Sequence, residues 1–223
     1  MNAYELTKVN MQKVKPSMAY KGGDYAAWKA EARAKLSSLL GLDTFKKVDP
    51  ELDIEYTKKL EDSTEYRFTF QSEEGFRVPC HLLIPDGIQN PPLMICLQGH
   101  SPGMHISLGR FKNDHEQSYV TDGDRDFVVR ALKEGYAAIA LEQRSLGETA
   151  GQNGCLTASL ANIMTGRTTI AERVWDVCRL IDVVESTFAD KVPPLTTVTG
   201  AIAKNVASWA TAPPGCCCLP TTA

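Results

Sequence analysis

Residues 93–103, Leu93-Met94-Ile95-Cys96-Leu97-Gln98-Gly99-His100-Ser101-Pro102-Gly103, decide the fold. An unbroken apolar run of this length suits a strand covered on both faces. Gly99 then lets the backbone turn sharply and present N–H groups to an incoming oxyanion. An ordinary glycine-containing strand exit would have the same residues. The stretch is not a phosphate loop, because no G-x-x-x-x-G-K-[ST] occurs. A second apolar run, Tyr136–Leu141, leads into Glu142-Gln143-Arg144-Ser145-Leu146-Gly147-Glu148. Arg144 and Gly147 are expected to hold this second loop in place, a supporting role rather than a catalytic one.

The surrounding segments extend the pattern. Asp126–Glu134 predicts a helix that stops at Gly135, between the two buried strands. Thr168 or Thr169 starts a second helix that runs to Glu185, with Val174, Trp175, Val177, Cys178, Ile181 and Val184 at helical spacing. Upstream, Tyr66–Phe70 alternates apolar and polar residues, Glu73-Glu74-Gly75 turns, and Phe76–Ile84 follows, which is a β-hairpin. A helix capped by Asp24 and stopped by Gly41 places Trp28, Ala32, Leu36, Leu39 and Leu40 on one face. Residues 42–61, the loop from Gly99 to about Asp122 and the stretch Gly147–Gly166 are expected to lack regular structure. A strand is expected at Thr196–Thr199.

A hairpin followed by strand–helix–strand–helix implies an α/β fold, with a mixed, mostly parallel sheet and helices on both faces. The expected organisation is a polar extension over 1–23, one domain over 24–200, and a non-native tail over 201–223.

Composition narrows the function. Of 223 residues 43% are hydrophobic and 23% charged, which excludes a wholly disordered chain. A net charge of −3 argues against a nucleic-acid surface or a polybasic membrane anchor. No apolar run is long enough to span a bilayer, and the N-terminus lacks the apolar core of a secretory signal. Cys80, Cys96, Cys155 and Cys178 are scattered and suit reduced thiols in a cytoplasmic protein. Cys216, Cys217 and Cys218 are consecutive, a spacing that suits neither zinc nor a disulfide framework. His81, His100, His105 and His115 match no zinc motif. No metal or cofactor is expected; His81 is expected to be structural and His100 to shape a pocket mouth.

These elements, with LQGHSPG at one strand exit, EQRSLGE at the next and ERVWDVCRLID in the long helix, resemble the α/β-hydrolases of the dienelactone hydrolase and acetyl xylan esterase-like group. The resemblance covers roughly residues 24–190 and implies an incomplete α/β-hydrolase fold. It also implies a carboxylic ester hydrolase ancestry, with a small-molecule ester as the intact family's substrate. By resemblance, one oxyanion-hole N–H belongs to His100 or Ser101, next to Gly99.

The chain departs from the family further on. No G-x-S-x-G occurs, Ser208 has no neighbouring glycine, and no histidine follows His115. The nucleophile, acid and base are therefore expected to be absent. Back-translation of 205–215 in another frame permits a short apolar strand entering Gly-Asn-Ser, as a frame-shifted, truncated hydrolase would show. The alternatives are a non-catalytic protein that binds small molecules or proteins on the same fold, and a nucleotide-binding α/β protein, which would need a G-x-G-x-x-G that GHSPGMHISLG lacks.

Overall fold

The hairpin is formed by β2 (Ser63–Glu73) and β3 (Phe76–Pro85), in register Phe68 against Cys80 and Phe70 against Val78. The apolar run at 93–97 becomes β4 (Leu93–Cys96), and 136–141 becomes β5 (Ala137–Leu141). These two pair in parallel, and β3 pairs with β5 antiparallel. An N-terminal strand, β1 (Asp53–Lys59), adds to β2 and completes a five-stranded sheet of order β1-β2-β3-β5-β4. The computed structural model describes residues 1–152 and 154–191.

Alternation along each strand sorts residues onto two faces. One face carries Phe68, Phe70, Val78, Cys80, Leu82, Leu93, Ile95, Ile139 and Leu141, and buries them against Leu180, Val183 and Val184 of α6 (Thr169–Thr187) and against Phe188. The opposite face carries Leu83, Cys96, Ala138 and Ala140 under Val128 and Ala131 of α4 (Phe127–Lys133). The fold is therefore α/β with helices on both faces and a mixed sheet. Its balance differs from the expected one, since among the described strands three ladders are antiparallel and one is parallel. Among the described strands only β4 and β5 are joined by a parallel crossover, which carries α3 (Asp114–Thr121) and α4; β3 pairs with β5 from the hairpin side and runs opposite to it.

Four elements depart from the expected irregular or extension segments. β1 is exposed at every position, so it carries no buried alternation and is held by its main-chain ladder with β2. α1 (Ala3–Lys13) is a polar helix with no buried residue; Asn2 and Glu5 close a capping box at its start. α3 (Asp114–Thr121) is capped by Asn113, whose side chain accepts from the Glu116 N–H at 2.9 Å. α5 (Gly154–Met164) leaves Leu156, Leu160, Ile163 and Met164 exposed. Strand Thr196–Thr199 and the tail 201–223 lie outside the described residues.

Met1–Leu40 form one compact unit and residues from Gly41 on a second. In the first, α2 (Tyr25–Leu40) starts at Asp24, whose carboxylate accepts from the N–H groups of Ala26 and Ala27 at 2.9 and 3.1 Å. Trp28 packs against Tyr20 and Tyr25, with ring centroids 5.2 and 5.5 Å away. Trp28, Ala32, Leu36 and Leu40 are half-buried, whereas Leu39 is exposed. No helix among the described residues is long and apolar enough to cross a membrane.

The α6 face differs from the sequence pattern as well. Its buried positions include Asp176 and Arg179, while Val174, Trp175 and Cys178 are half-buried. Both charged groups are buried because both are paired, as described below. Trp175 instead stacks on Phe45 at 5.3 Å and donates its indole N–H to the Ser72 carbonyl at 2.8 Å.

Phe68 is fully buried and lies 5.2 Å from the Phe188 ring. Phe68→Ala should destabilise the domain by about 3–5 kcal/mol, the usual range for emptying such a site. Leu39→Ala, at an exposed position, should stay within about 0.5 kcal/mol. Urea unfolding of both variants checks this; equal effects would refute the assignment of the core.

Candidate functional site

Because β4 and β5 run parallel, the loops that leave them emerge at the same end of the sheet, the end at which open α/β sheets hold ligands. The carboxylate that joins these loops belongs to Glu142, the first residue after β5, which is fully buried. It accepts from the Gln98 amide at 2.8 Å, from the Met104 N–H at 3.1 and 3.3 Å, and from the Glu148 N–H at 3.2 Å. One side chain thus holds 98–104 and 142–148 together. Gln143 adds a side-chain hydrogen bond to the Gln98 carbonyl.

Two glycines make room for that carboxylate. A Cβ on Gly147 would lie 2.1 Å from Glu142 Oε2, and the residue sits at φ +46°. A Cβ on Gly103 would lie 3.0 Å from the same oxygen and 3.0 Å from the Gly147 Cα. Burial pushes the Glu142 carboxyl up to about 7, against the pull of the Glu148 and Met104 N–H groups.

The loop after β4 carries the oxyanion candidates. Gly99 is half-buried, and a Cβ there would meet nothing within 4 Å. Ser101 is buried and its hydroxyl donates to the Gly103 carbonyl at 3.4 Å. Among the described residues, the N–H groups of Gly99, His100 and Ser101 have no hydrogen-bond acceptor. The next turn is pinned from below, because Met104, Ile106 and Leu108 are buried and the Ser107 carbonyl accepts from Val128 of α4 at 3.0 Å.

A layer of paired charges supports both loops. Arg144 lays its guanidinium on Asp176, with 2.9 Å from Nε and 2.9 Å from Nη2, and reaches Glu73 at 2.9 Å. Its carbonyl accepts from Arg173 at 3.0 and 3.2 Å. Asp176, fully buried on α6, also accepts from the Ser72 hydroxyl at 2.6 Å. Arg179, also buried on α6, donates to the Val48 carbonyl at 2.9 Å and pairs with Asp182.

On the other face of the sheet, Arg67 holds Glu148 of the second loop at 2.6 and 3.1 Å and touches His81 Nε2 at 3.0 Å. His81 Nδ1 lies 2.6 Å from Glu65, and Glu65 accepts from Arg110, at the end of the first loop, at 2.8 Å. Burial pushes Glu65 up, but the Arg110 hydrogen bond and charge outweigh it and leave the carboxyl below its ordinary range. Burial holds the His81 imidazole below its ordinary value, with the Glu65 hydrogen bond opposing.

The remaining histidines stand apart. His105 Nε2 meets Glu116 at 3.0 Å, and the His115 ring packs edge-on to Tyr119 at 5.4 Å. His100 Nε2 lies 3.1 Å from the Cys155 sulfur at the start of α5. That pair, the Glu142 clasp and the Arg67–Glu148 bond were not readable from sequence, where their members are 55, 38 and 81 residues apart. Among the described residues, no group of three or more His, Cys, Asp or Glu side chains is placed to hold a metal ion.

No protein-family model matches the chain, and no curated protein matches it. Solved structures do. A Bacteroides fragilis protein described as an acetyl xylan esterase aligns at a TM-score of 0.65 and 16% identity, over 84% of this chain and 51% of that one. Acetyl xylan esterases from Thermoanaerobacterium and Paenibacillus align at TM-scores of 0.42 and 0.44, with 14% and 18% identity. They cover 82% and 83% of this chain and 50% and 52% of their own. The chain therefore shares the fold of the Bacteroides fragilis structure and spans about half the length of the structures it matches. At TM-scores below 0.5 the other two add nothing to that assignment.

The Glu142 clasp yields two expectations. Gly147→Ala should cost at least about 2 kcal/mol, because the methyl would enter the carboxylate at a backbone conformation that L residues resist. Little loss of stability on urea unfolding would show that the clasp is not formed. The second concerns pH. The folded carboxyl titrates near 7 against an ordinary 4.5, so its stabilising contribution is complete below about 4.5 and is lost as the pH rises through 7. The loss is at most about 3 kcal/mol. Urea midpoints measured from pH 4.5 to 8 should fall for the native chain and flatten across this window for Glu142→Gln.

Proposed function

We propose that this chain carries the N-terminal part of an α/β-hydrolase of the dienelactone hydrolase and acetyl xylan esterase-like group, a carboxylic ester hydrolase by ancestry. The observation that carries the reading is the loop after β4, whose Gly99, His100 and Ser101 N–H groups stand, among the described residues, without acceptors beside the exit of a parallel strand pair. Two or three N–H groups converging on a developing oxyanion are what acyl transfer requires. The fold shared with the Bacteroides fragilis structure supports the same reading.

In such a hydrolase a serine hydroxyl attacks the ester carbonyl while a histidine takes its proton and an acid orients that histidine. The carbonyl oxygen, now an anion, is held by the N–H groups at Gly99, His100 or Ser101 and by a second donor at the nucleophile turn. Arg144, Gly147 and Glu142 would act as positioning residues, since they hold the two loops and do not touch the reacting atoms.

These 223 residues contain no G-x-S-x-G and no histidine beyond His115. Each histidine present is engaged elsewhere: His81 with Glu65 and Arg67, His100 with Cys155, His105 with Glu116, and His115 against Tyr119. A serine hydroxyl without a base in reach is a poor nucleophile. These 223 residues therefore do not by themselves turn over esters through a serine triad.

Steady-state hydrolysis of p-nitrophenyl acetate should sit near background, and a fluorophosphonate probe should leave every serine unlabelled. Stoichiometric labelling of one serine would overturn this reading of the chain.

A further inference from the structure

The contact between His100 and Cys155 contributes no group to the attack on an ester described above. Cys155 is the second residue of α5, half-buried, and its sulfur lies 3.1 Å from His100 Nε2. His100 itself is exposed on the loop after β4. A thiol and an imidazole within hydrogen-bond reach, open to solvent, form the arrangement in which a base can take the proton as sulfur attacks. We infer that Cys155 is a nucleophilic thiol, with His100 as its base, that is covalently modified by soft carbon electrophiles carrying a leaving group.

The step balances as follows. The step uses the neutral imidazole with its proton on Nδ1, which leaves Nε2 free to accept. As an α-haloamide approaches, the S–H proton moves to His100 Nε2 and a sulfur electron pair forms the S–C bond. The carbon–halogen bond breaks, halide leaves with its electron pair, and the imidazolium returns its proton to water. No oxidant or cofactor enters.

The contrast with two other thiols strengthens the inference. Cys80 and Cys96 are buried in the sheet, and burial pushes both thiols upward, Cys96 to about 12. At neutral pH they offer neither thiolate nor access.

Iodoacetamide under limiting labelling tests the site in the full chain. Trypsin cleaves after Arg144 and Arg167, and the peptide 145–167 contains Cys155 as its one cysteine, so its alkylation is read directly by mass. At pH 7 Cys155 should react at least about tenfold faster than glutathione in the same tube, a threshold below the ~10²–10⁴-fold that a positioned base supplies. His100→Ala and His100→Gln, both at an exposed position, should each bring the rate to within about threefold of glutathione. Urea midpoints matching the native chain would show that neither variant acts through unfolding. Reaction no faster than glutathione, or an unchanged rate in the two folded variants, would overturn the inference. The readout is a thiol, so the outcome is separate from that of the serine probe.

Discussion

A single buried carboxylate, that of Glu142, sets the geometry at the end of the sheet. It sits where β5 stops and takes hydrogen bonds from both exit loops. Its demands propagate outward: the oxygen leaves no space for a side chain at 147 and little at 103, so both are glycine. A buried carboxylate without donors would cost several kcal/mol, and here the donors are the Gln98 side-chain amide and two main-chain N–H groups, of Met104 and Glu148, that would otherwise be orphaned in the loops. Satisfying the acid and ordering the loops are one event. It leaves the N–H groups of 99–101 outside the clasp and without acceptors among the described residues.

The sheet face that bears these loops is itself divided. Where α4 covers it, the lining is Leu83, Cys96, Ala138 and Ala140. Where the loops arrive, the same face presents Glu65, Arg67 and His81. Buried charges of this kind are tolerable only as complete pairs, and removing one partner typically costs 3–5 kcal/mol. Arg110 from the first loop and Glu148 from the second supply the missing partners. Each loop is thus clasped to its neighbour by Glu142 and anchored to β2 by an ion pair. On the opposite face Arg144 joins the second loop to α6 through Asp176, and its cation also lies 4.2 Å from the Phe76 ring centroid.

Apart from α2, which was read from its Asp24 cap and Gly41 stop and has no fully buried residue, the elements that were legible before the structure bury apolar residues. β2, β3, β4, β5, α4 and α6 all do so. Those that were not legible bury little. β1 is exposed throughout and persists because β2 offers it a main-chain ladder. α1 and α3 rest on Asn2 and Asn113 caps, and α5 shows its apolar side chains to solvent. The face of α6 was misjudged for a related reason. Asp176 and Arg179 look like solvent-facing residues until Arg144, Ser72 and Val48 are seen to satisfy them.

The amino-acid sequence by itself determined the α/β class, the hairpin and the two buried strands. Those follow from local period and from glycine at a strand exit, which are properties of neighbouring residues. Only the tertiary structure decided that Glu142 is the clasp, that Glu65 and Arg67 reach into both loops, and that His100 meets Cys155. A hydrogen bond between side chains distant in sequence leaves no periodic trace. It exists only once sheet order and loop path have brought donor and acceptor within about 3 Å.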